Sequence, residues 1–225
     1  MTTLMVADDH PLFRDAIGAV IAAGMPGTRL LEADSLMRAM QQAERHEEDL
    51  DLLLLDLDLP DAVGLDGLRR LREVLPALPV AILSAEQDRR TVLAAIEMGA
   101  VGYIPKSTPR DALLAALRQL LEGQLYLPPQ VMRRPPPMHP APAVTAAAAD
   151  PRLERLTGKQ LEVLELLSRG ASNKGIAREL NIAETTVKTH VSAILRKLGV
   201  ASRVQAVLLA GELDLPAYRA GGRSG

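Results

Sequence analysis

Apolar and polar residues alternate in blocks along the first half of the chain. Five short apolar runs are typical of β-strands, and a stretch with apolar residues at helical spacing follows each of them. The predicted strands are residues 4–7, 29–31, 52–55, 80–83 and 102–104, and the predicted helices are residues 11–23, 35–45, 64–75, 88–98 and 109–121. This strict alternation predicts an α/β fold with a doubly wound, five-stranded parallel sheet.

Polar residues stand where these apolar strands end. In "DLLLLDLDLP", residues 51–60, four leucines lead directly into acidic residues, as expected for a strand that is buried on both faces of its sheet. The residues at the strand exits are Asp8 and Asp9 after the first strand, Asp56 and Asp58 after the third, Ser84 after the fourth and Lys106 after the fifth. Because the carboxyl ends of parallel strands meet at one edge, these side chains are expected to converge there.

Several carboxylates at one edge of a sheet repel each other unless a cation lies between them. Oxygen ligands, water and a phosphate oxygen suit Mg²⁺, and a lysine supplies further positive charge. An alternative is that Asp9 and Asp56 each cap the helix that follows. That alternative leaves the lysine and the hydroxyl at the same edge unexplained, so the combined pattern favours a site for a phosphoryl group.

The composition changes sharply near residue 128. Up to that point the chain carries 12 basic and 20 acidic residues, and beyond it 14 basic and 8 acidic residues, so only the second half suits a polyanion such as DNA. Residues 128–151 contain eight of the sixteen prolines, which predicts an extended tether between two domains.

The second half is patterned as four helices with short turns. Thr157 with Gln160, and Ser202 with Gln205, have the spacing of capping boxes. A short helix capped by Ser172 is followed after a tight turn by a longer basic helix, near residues 184–198. Two helices joined in this way predict a helix-turn-helix in a small all-α domain.

The composition excludes several classes of protein. There is no cysteine, so disulfides and thiolate chemistry are absent, and the four histidines show no metal-ligand spacing. No apolar run approaches the roughly 20 residues of a membrane span, and the first residues lack the basic region of a signal peptide. We therefore expect a cytoplasmic protein without a membrane partner.

The motifs "VADDH", "LLLLDLDLPDAVGL", "AILSAEQ" and "GYIPKS" together resemble the receiver domain of two-component response regulators, a flavodoxin-like fold. The resemblance implies that Asp56 accepts a phosphoryl group from a sensor histidine kinase. It implies Mg²⁺ as cofactor, held by Asp8, Asp9, Asp56 and the backbone carbonyl of Asp58. It also assigns Ser84, Tyr103 and Lys106 to the phosphorylation switch.

Two other functions share parts of this pattern. Phosphatases of the haloacid-dehalogenase type also place an Asp-x-Asp motif after an apolar strand, and there Asp58 would act as a general acid. Here a complete β-α-β-α unit with its own acidic pair precedes the motif, which favours a regulator without enzymatic activity. A regulator of the same architecture that works without phosphorylation is a further alternative, against which the complete acidic set and Lys106 argue.

Residues 156–210 closely resemble the LuxR-type DNA-binding domain, and the two halves together resemble the NarL/FixJ family. The resemblance places residues 186–197 in the major groove. Because one recognition helix makes few contacts with DNA, we expect a phosphorylated homodimer that reads paired half-sites in double-stranded DNA. The residues assigned to DNA contact are Lys174, Arg178, Thr186, Lys188, Thr189, Ser192, Lys197 and Arg203. Ala183 stands where the family usually has a Ser or Thr cap, which is expected to cost about 1 kcal/mol.

The sequence therefore predicts a phosphorylation-dependent transcriptional regulator in four segments. These are a receiver domain at residues 1–127, the Pro-rich tether at 128–151, a helix-turn-helix domain at 152–215 and a flexible tail at 216–225. The tether allows the receiver domain to mask the DNA-binding face until Asp56 is phosphorylated.

Overall fold

The computed structural model describes residues 2–128, 152–200 and 203–212. The predicted tether beyond Pro128, the predicted tail and the Ser202 cap lie outside these residues. None of the helices in the described ranges is long and apolar enough to span a bilayer.

The N-terminal domain is the predicted α/β fold. Its strands are β1 (Thr2–Ala7), β2 (Thr28–Ala33), β3 (Leu50–Leu55), β4 (Val80–Ser84) and β5 (Gly102–Pro105). Its helices are α1 (Pro11–Gly24), α2 (Leu36–Arg45), α3 (Asp66–Val74), α4 (Arg89–Glu97) and α5 (Arg110–Leu121). All strand pairs are parallel, in the order β2-β1-β3-β4-β5, so β1, β3 and β4 are interior strands.

The leucines of β3 are divided between two cores. Leu53 and Leu55 belong to the core on one face of the sheet, and Leu52 and Leu54 belong to the core on the other. All four are fully buried. Since successive side chains of a strand point to opposite faces, a strand covered on both faces must be apolar at every position, which explains the leucine run.

The C-terminal domain contains a short 3₁₀ helix (Leu153–Arg155) and four α-helices. These are α6 (Gly158–Ser168), α7 (Asn173–Leu180), α8 (Glu184–Leu198) and α9 (Arg203–Glu212). They enclose a separate apolar core, to which α8 contributes Val187, Val191 and Ile194. The capping box of Thr157 and Gln160 is present with both of its hydrogen bonds. The turn before α8 contains Asn181 in the left-handed region, with φ 51°.

Helices α5 and α8 both begin without a side-chain cap hydrogen bond. Helix α5 begins at Arg110 with Pro109 as its N-cap residue, one position later than the predicted start at residue 109. Ala183 is the N-cap residue of α8 and makes no side-chain cap hydrogen bond, because alanine has no acceptor. The first turn of α8 therefore lacks the stabilisation that a Ser or Thr would supply.

Candidate functional site

Three of the expected residues form a buried ion cluster at the carboxyl edge of the sheet. Asp8 follows β1, Asp56 follows β3 and Lys106 follows β5. The ammonium of Lys106 lies 2.7 Å from Oδ2 of Asp8 and 2.7 Å from Oδ2 of Asp56. Both carboxylate side chains are fully buried, and the ammonium lies 4.9 Å from the centre of the Phe13 ring. One cation thus bridges two carboxylates from strands that lie side by side.

The same edge has the geometry of a cation site. One ligand atom each from Asp8, Asp9, His10 and Asp56 lies within 4.8 Å of the others. Oδ1 of Asp56 is buried and accepts no hydrogen bond from the residues that the structure describes. A buried carboxylate oxygen without a donor is costly, and a divalent cation would satisfy it. The three carboxylates of this group therefore fit the Mg²⁺ that the resemblance implies.

The electrostatics of the cluster follow from its burial. Burial raises the pKa of Asp56, and the hydrogen bond and charge of Lys106 offset this only in part. Burial opposes the charge on Lys106 as well, but hydrogen bonds to Asp56 and Asp8 prevail and raise the pKa of the ammonium. The pair is thus mutually stabilised, while the Asp56 carboxylate remains more basic than an ordinary aspartate.

Ser84 and Tyr103 both bind the main chain of Glu86. The hydroxyl of Ser84 accepts a hydrogen bond from the Glu86 amide at 3.1 Å. The hydroxyl of Tyr103 donates to the Glu86 carbonyl at 2.8 Å, and the ring is fully buried. The amide of Lys106 in turn donates to the Ser84 carbonyl at 2.8 Å. The three predicted switch residues thus share one hydrogen-bonded segment beside the ion cluster.

Asp9 and Asp56 do not cap the helices that follow them. His10 is the N-cap residue of α1 and Leu65 that of α3, and neither helix has a side-chain cap hydrogen bond. Asp58 has an exposed side chain and lines an open cleft beside the cluster, together with His10 and Lys106. Its side chain is therefore on the solvent side of the site, which is compatible with a role for its carbonyl rather than its carboxylate.

The predicted DNA-contact residues fall into two groups. Thr186 and Thr189 on α8, with Lys174 and Arg178 on α7, are exposed, and Ser192 is half-buried. Lys197 and Arg203 instead have partners inside their own domain. The ammonium of Lys197 donates to Oε1 of Gln160 at 2.7 Å. The guanidinium of Arg203 donates to Oδ1 of Asn173 and to the Ala171 carbonyl.

The partners of Lys197 and Arg203 lie on other helices of the same domain. Arg203 is half-buried, and this burial lowers the pKa of its guanidinium to about 10. It joins α9 to the start of α7, and Lys197 joins α8 to α6. Both side chains thus have partners inside the helix-turn-helix domain, and their contact with DNA, which the resemblance implies, stays a prediction.

Lys188, the predicted base-contacting lysine, is bound to the receiver domain. Its ammonium donates to the carbonyls of Glu47, Glu48 and Leu50, where α2 leads into β3, and the distances to Glu47 and Leu50 are 3.3 and 3.1 Å. A second contact joins the domains, because Nε2 of Gln205 donates to the Glu97 carbonyl at 2.8 Å. In this arrangement the receiver domain covers part of the predicted DNA-binding face.

An acidic pair lies at the same interface. Burial, together with the charge of Asp51 and a hydrogen bond to it, raises the pKa of Glu184, and the ammonium of Lys188 opposes this shift. Oδ2 of Asp51 also accepts a hydrogen bond from the Thr3 amide. A charged Glu184 is repelled by the carboxylate of Asp51, so the raised pKa of Glu184 makes this contact depend on pH.

The structure adds His10 to the site, which the sequence pattern passed over. Its Nδ1 atom lies 2.6 Å from Oδ1 of Asp9 and 3.2 Å from Oδ1 of Asp8. The spacing of histidines along the chain does not indicate a metal site here, because the other histidines are far from His10 in the sequence. The available signal is adjacency, since His10 directly follows the acidic pair at the exit of β1.

Both domains match known families. Residues 4–118 match the response regulator receiver domain, and residues 154–210 match the bacterial regulatory proteins of the luxR family. The receiver match precedes the DNA-binding match along the chain, and residues 119–153 lie between them.

Relatives share both domains. The chain is 51% identical to a glycerol metabolism activator of Pseudomonas putida, over 97% of this chain and 99% of that protein. It is 32% identical to the nitrate/nitrite response regulator protein NarL of Escherichia coli K12, over 92% and 93% of the two chains. A solved structure of two RcsB dimers bound to two parallel DNAs has the same fold, with a TM-score of 0.54 and 21% identity over 94% of this chain and 98% of that one.

These matches support the regulator interpretation over the phosphatase interpretation. They extend over nearly the whole chain, so they cover the order of the domains as well as each domain alone. The chain belongs to the family of transcriptional response regulators that join a receiver domain to a LuxR-type DNA-binding domain.

Proposed function

We propose that Asp56 is the phosphoryl acceptor of this regulator and that a sensor histidine kinase is the donor. An oxygen of the Asp56 carboxylate attacks phosphorus, the bond between phosphorus and the kinase histidine breaks, and an aspartyl phosphate forms. The observation that carries the assignment is the ion cluster, in which Lys106 binds Asp56 and Asp8 at 2.7 Å each. Burial also keeps the Asp56 carboxylate basic, which favours nucleophilic attack.

The acidic cluster holds Mg²⁺ through Asp8, Asp9 and Asp56, with the backbone carbonyl of Asp58. The ion supplies positive charge that offsets the phosphoryl oxygens as they approach three carboxylates. The donorless buried oxygen of Asp56 supports this ligand set. Lys106 contributes a second positive charge from the opposite side, and it stays protonated because its partners raise its pKa.

Phosphorylation changes the partners of Lys106 and Ser84. A phosphoryl group on Asp56 offers new acceptors to the ammonium, which now binds two carboxylates, and to the hydroxyl of Ser84, which now accepts from the Glu86 amide. Because the hydroxyl of Tyr103 is bound to the carbonyl of Glu86, a shift of that segment reaches the Tyr103 ring. These residues therefore form the switch that communicates the state of Asp56.

The output is DNA binding by α8. The docked arrangement, with Lys188 held by receiver carbonyls, corresponds to the unphosphorylated protein. Phosphorylation of Asp56 weakens this docking and frees the exposed Thr186 and Thr189 face, together with Lys188, for the major groove. A phosphorylated homodimer reads two half-sites of double-stranded DNA in the cytoplasm, a proposal that the DNA-bound RcsB dimers support.

The genes under control belong to small-polyol metabolism, and the protein activates them. This part of the proposal is supported by the 51% identity with a glycerol metabolism activator along the whole chain. An operator is first selected from random DNA by its binding to the protein, and transcription in vitro from a promoter that carries this operator then tests whether the protein activates. The rate of transcription rises on addition of phosphorylated protein if the proposal holds, and falls if the protein is a repressor.

Phosphorylation by a small phosphodonor in Mg²⁺ tests the central assignment. The wild-type protein forms one base-labile phosphoryl adduct, seen as a mass increase of a single species. Asp56→Asn forms none, and Asp66→Asn, which changes an exposed carboxylate that pairs with Arg69 outside the site, serves as the matched control. An undiminished adduct in Asp56→Asn contradicts the assignment.

A further inference from the structure

The imidazole of His10 faces the acidic cluster at ligand distance. Its Nδ1 atom is 2.6 Å from Oδ1 of Asp9 and 3.2 Å from Oδ1 of Asp8, while its side chain is 64% exposed. An exposed histidine has many rotamers available, so its approach to two carboxylates is a specific orientation.

The backbone anchors this histidine at the site. The amide of His10 donates to Oδ1 of Asp8 at 2.9 Å, and its carbonyl accepts from the Phe13 and Arg14 amides at the start of α1. Pro11 follows directly and restricts the conformation of the residue before it. The Cα position of His10 is therefore held by the first turn of the helix, and only its side-chain torsions need to adjust for it to bind an ion.

The carboxylates leave one side of the cluster open to an ion. Lys106 occupies Oδ2 of Asp8 and Oδ2 of Asp56, so the oxygens that remain are Oδ1 of each. Oδ1 of Asp8 is the oxygen beside the imidazole, and Oδ1 of Asp56 is buried without a hydrogen-bond donor among the described residues. The lysine and the imidazole thus approach the carboxylates through different oxygens.

The distances suit a single six-coordinate ion. Bonds of about 2.1 Å place neighbouring ligands of such an ion roughly 3 Å apart and opposite ligands roughly 4.2 Å apart. The ligand atoms of Asp8, Asp9, His10 and Asp56 all lie within 4.8 Å of one another, so small side-chain rotations bring them to one centre. Three oxygens and one nitrogen form a donor set that differs from the all-oxygen environment that Mg²⁺ prefers.

We propose that His10 is a direct metal ligand and that it makes this site select first-row transition ions, such as Mn²⁺ and Co²⁺, over Mg²⁺. The proposal rests on the proposed function in so far as it assigns the same carboxylates to a cation. Imidazole is a good ligand for transition ions and a poor one for Mg²⁺, so the histidine adds affinity for the former alone. The ion in the site then depends on which metals are available.

Calorimetric titration of the full-length protein with MgCl₂ and, separately, with CoCl₂ tests this selectivity. His10→Ala lowers the Co²⁺ affinity by about tenfold or more and leaves the Mg²⁺ affinity within about twofold. His46→Ala is the matched control, because it removes a half-buried histidine at the C-cap of α2, away from the cluster. The binding of both ions is unchanged in that variant.

Two outcomes overturn the proposal. If His10 only orients Asp9 through their 2.6 Å contact, His10→Ala lowers the Co²⁺ and Mg²⁺ affinities by the same factor. If His10 has no part in the site, neither affinity changes. Pulsed electron paramagnetic resonance of bound Mn²⁺ separates these cases further, because a directly bound imidazole gives a ¹⁴N coupling that His10→Ala and His10→Gln abolish. Absence of that coupling in the wild type also overturns the proposal.

Failure of the proposed function has a different signature. Phosphorylation of the wild type by a small phosphodonor in Mg²⁺ is measured alongside the titrations. A wild type that takes up no phosphoryl group contradicts the role of Asp56, whatever the Co²⁺ affinity. A wild type that is phosphorylated normally, but whose metal selectivity does not depend on His10, contradicts only the inference about His10.

Discussion

Replacement of Lys188 by alanine separates the two roles that the structure and the family give to this residue. In the docked arrangement its ammonium donates to three carbonyls of the receiver domain, those of Glu47, Glu48 and Leu50. In the DNA complex the same ammonium is expected to contact bases. Lys188→Ala therefore weakens docking and DNA contact together, and only a comparison of two proteins separates these effects.

The magnitude of the docking effect follows from the contacts. A hydrogen bond from a charged donor contributes about 1.5–3 kcal/mol. Because Lys188 is partly exposed to solvent, we take this value for its three hydrogen bonds together. Loss of about 1.5–3 kcal/mol changes the equilibrium between docked and free domains by roughly 10- to 100-fold. The loss of base contact adds about 1–3 kcal/mol to the weakening of operator binding.

The assay compares operator affinity in full-length protein and in the isolated fragment from residue 152 onward, both unphosphorylated. The fragment contains its own apolar core, so it is expected to fold alone. The operator affinity of the fragment divided by that of the full-length protein measures how strongly the receiver domain masks the DNA-binding face. The lost base contact weakens both proteins equally, so it does not change this ratio. Lys188→Ala lowers this affinity ratio by roughly 10- to 100-fold. If the ratio of the wild type is smaller than that factor, the variant has a ratio of one, which means that no masking is left.

Thr189→Ala provides the control for this assay. Thr189 is exposed on the same helix, and its hydroxyl donates to the Thr185 carbonyl rather than to the receiver domain. This variant weakens operator binding in both proteins and leaves their ratio unchanged. A ratio that Lys188→Ala also leaves unchanged would refute the argument that this lysine holds the receiver domain over the DNA-binding face.

Three further predictions concern stability and pH. Burial raises the pKa of Asp56, so its charge costs stability above that pKa, and Asp56→Asn should raise the urea midpoint of the receiver domain at neutral pH. Ala183→Ser should stabilise the fragment from residue 152 onward by about 1 kcal/mol, measured by urea unfolding, because it supplies the missing cap of α8. Docking raises the pKa of Glu184, so docking takes up a proton. Masking should therefore be strongest below the ordinary pKa of a glutamate and should be lost as pH rises through the raised pKa, and Glu184→Gln, assayed as above, should remove this dependence.

The sequence predicts the elements of the receiver domain well, because a sheet covered on both faces needs continuous apolar strands. The ends of strands are less certain, and β3 illustrates the reason. The strand begins at Leu50, two residues before the predicted start, and it includes the polar Asp51. Asp51 is tolerated there because its carboxylate accepts a hydrogen bond from the Thr3 amide, a contact that depends on the neighbouring strand.

The candidate site is predictable only where strand order brings residues together. Asp8, Asp56 and Lys106 converge because they leave β1, β3 and β5 at the same edge. The docking of Lys188 joins residues 138 or more positions apart, in domains linked by a Pro-rich segment, and no pattern within either domain predicts it. A basic residue likewise does not reveal its partner, as Arg203 illustrates with its contacts inside the domain.

The claim that phosphorylation of Asp56 controls DNA binding is tested by one comparison. Operator affinity of the full-length protein is measured with and without a phosphoryl group on Asp56. Both measurements are made at one salt concentration, because contacts to phosphates depend steeply on salt. We expect the phosphorylated protein to bind more tightly and cooperatively. The fragment from residue 152 onward should have an affinity between those of the two full-length forms and should not respond to the phosphodonor. Equal operator affinity for the phosphorylated and unphosphorylated proteins would contradict this claim.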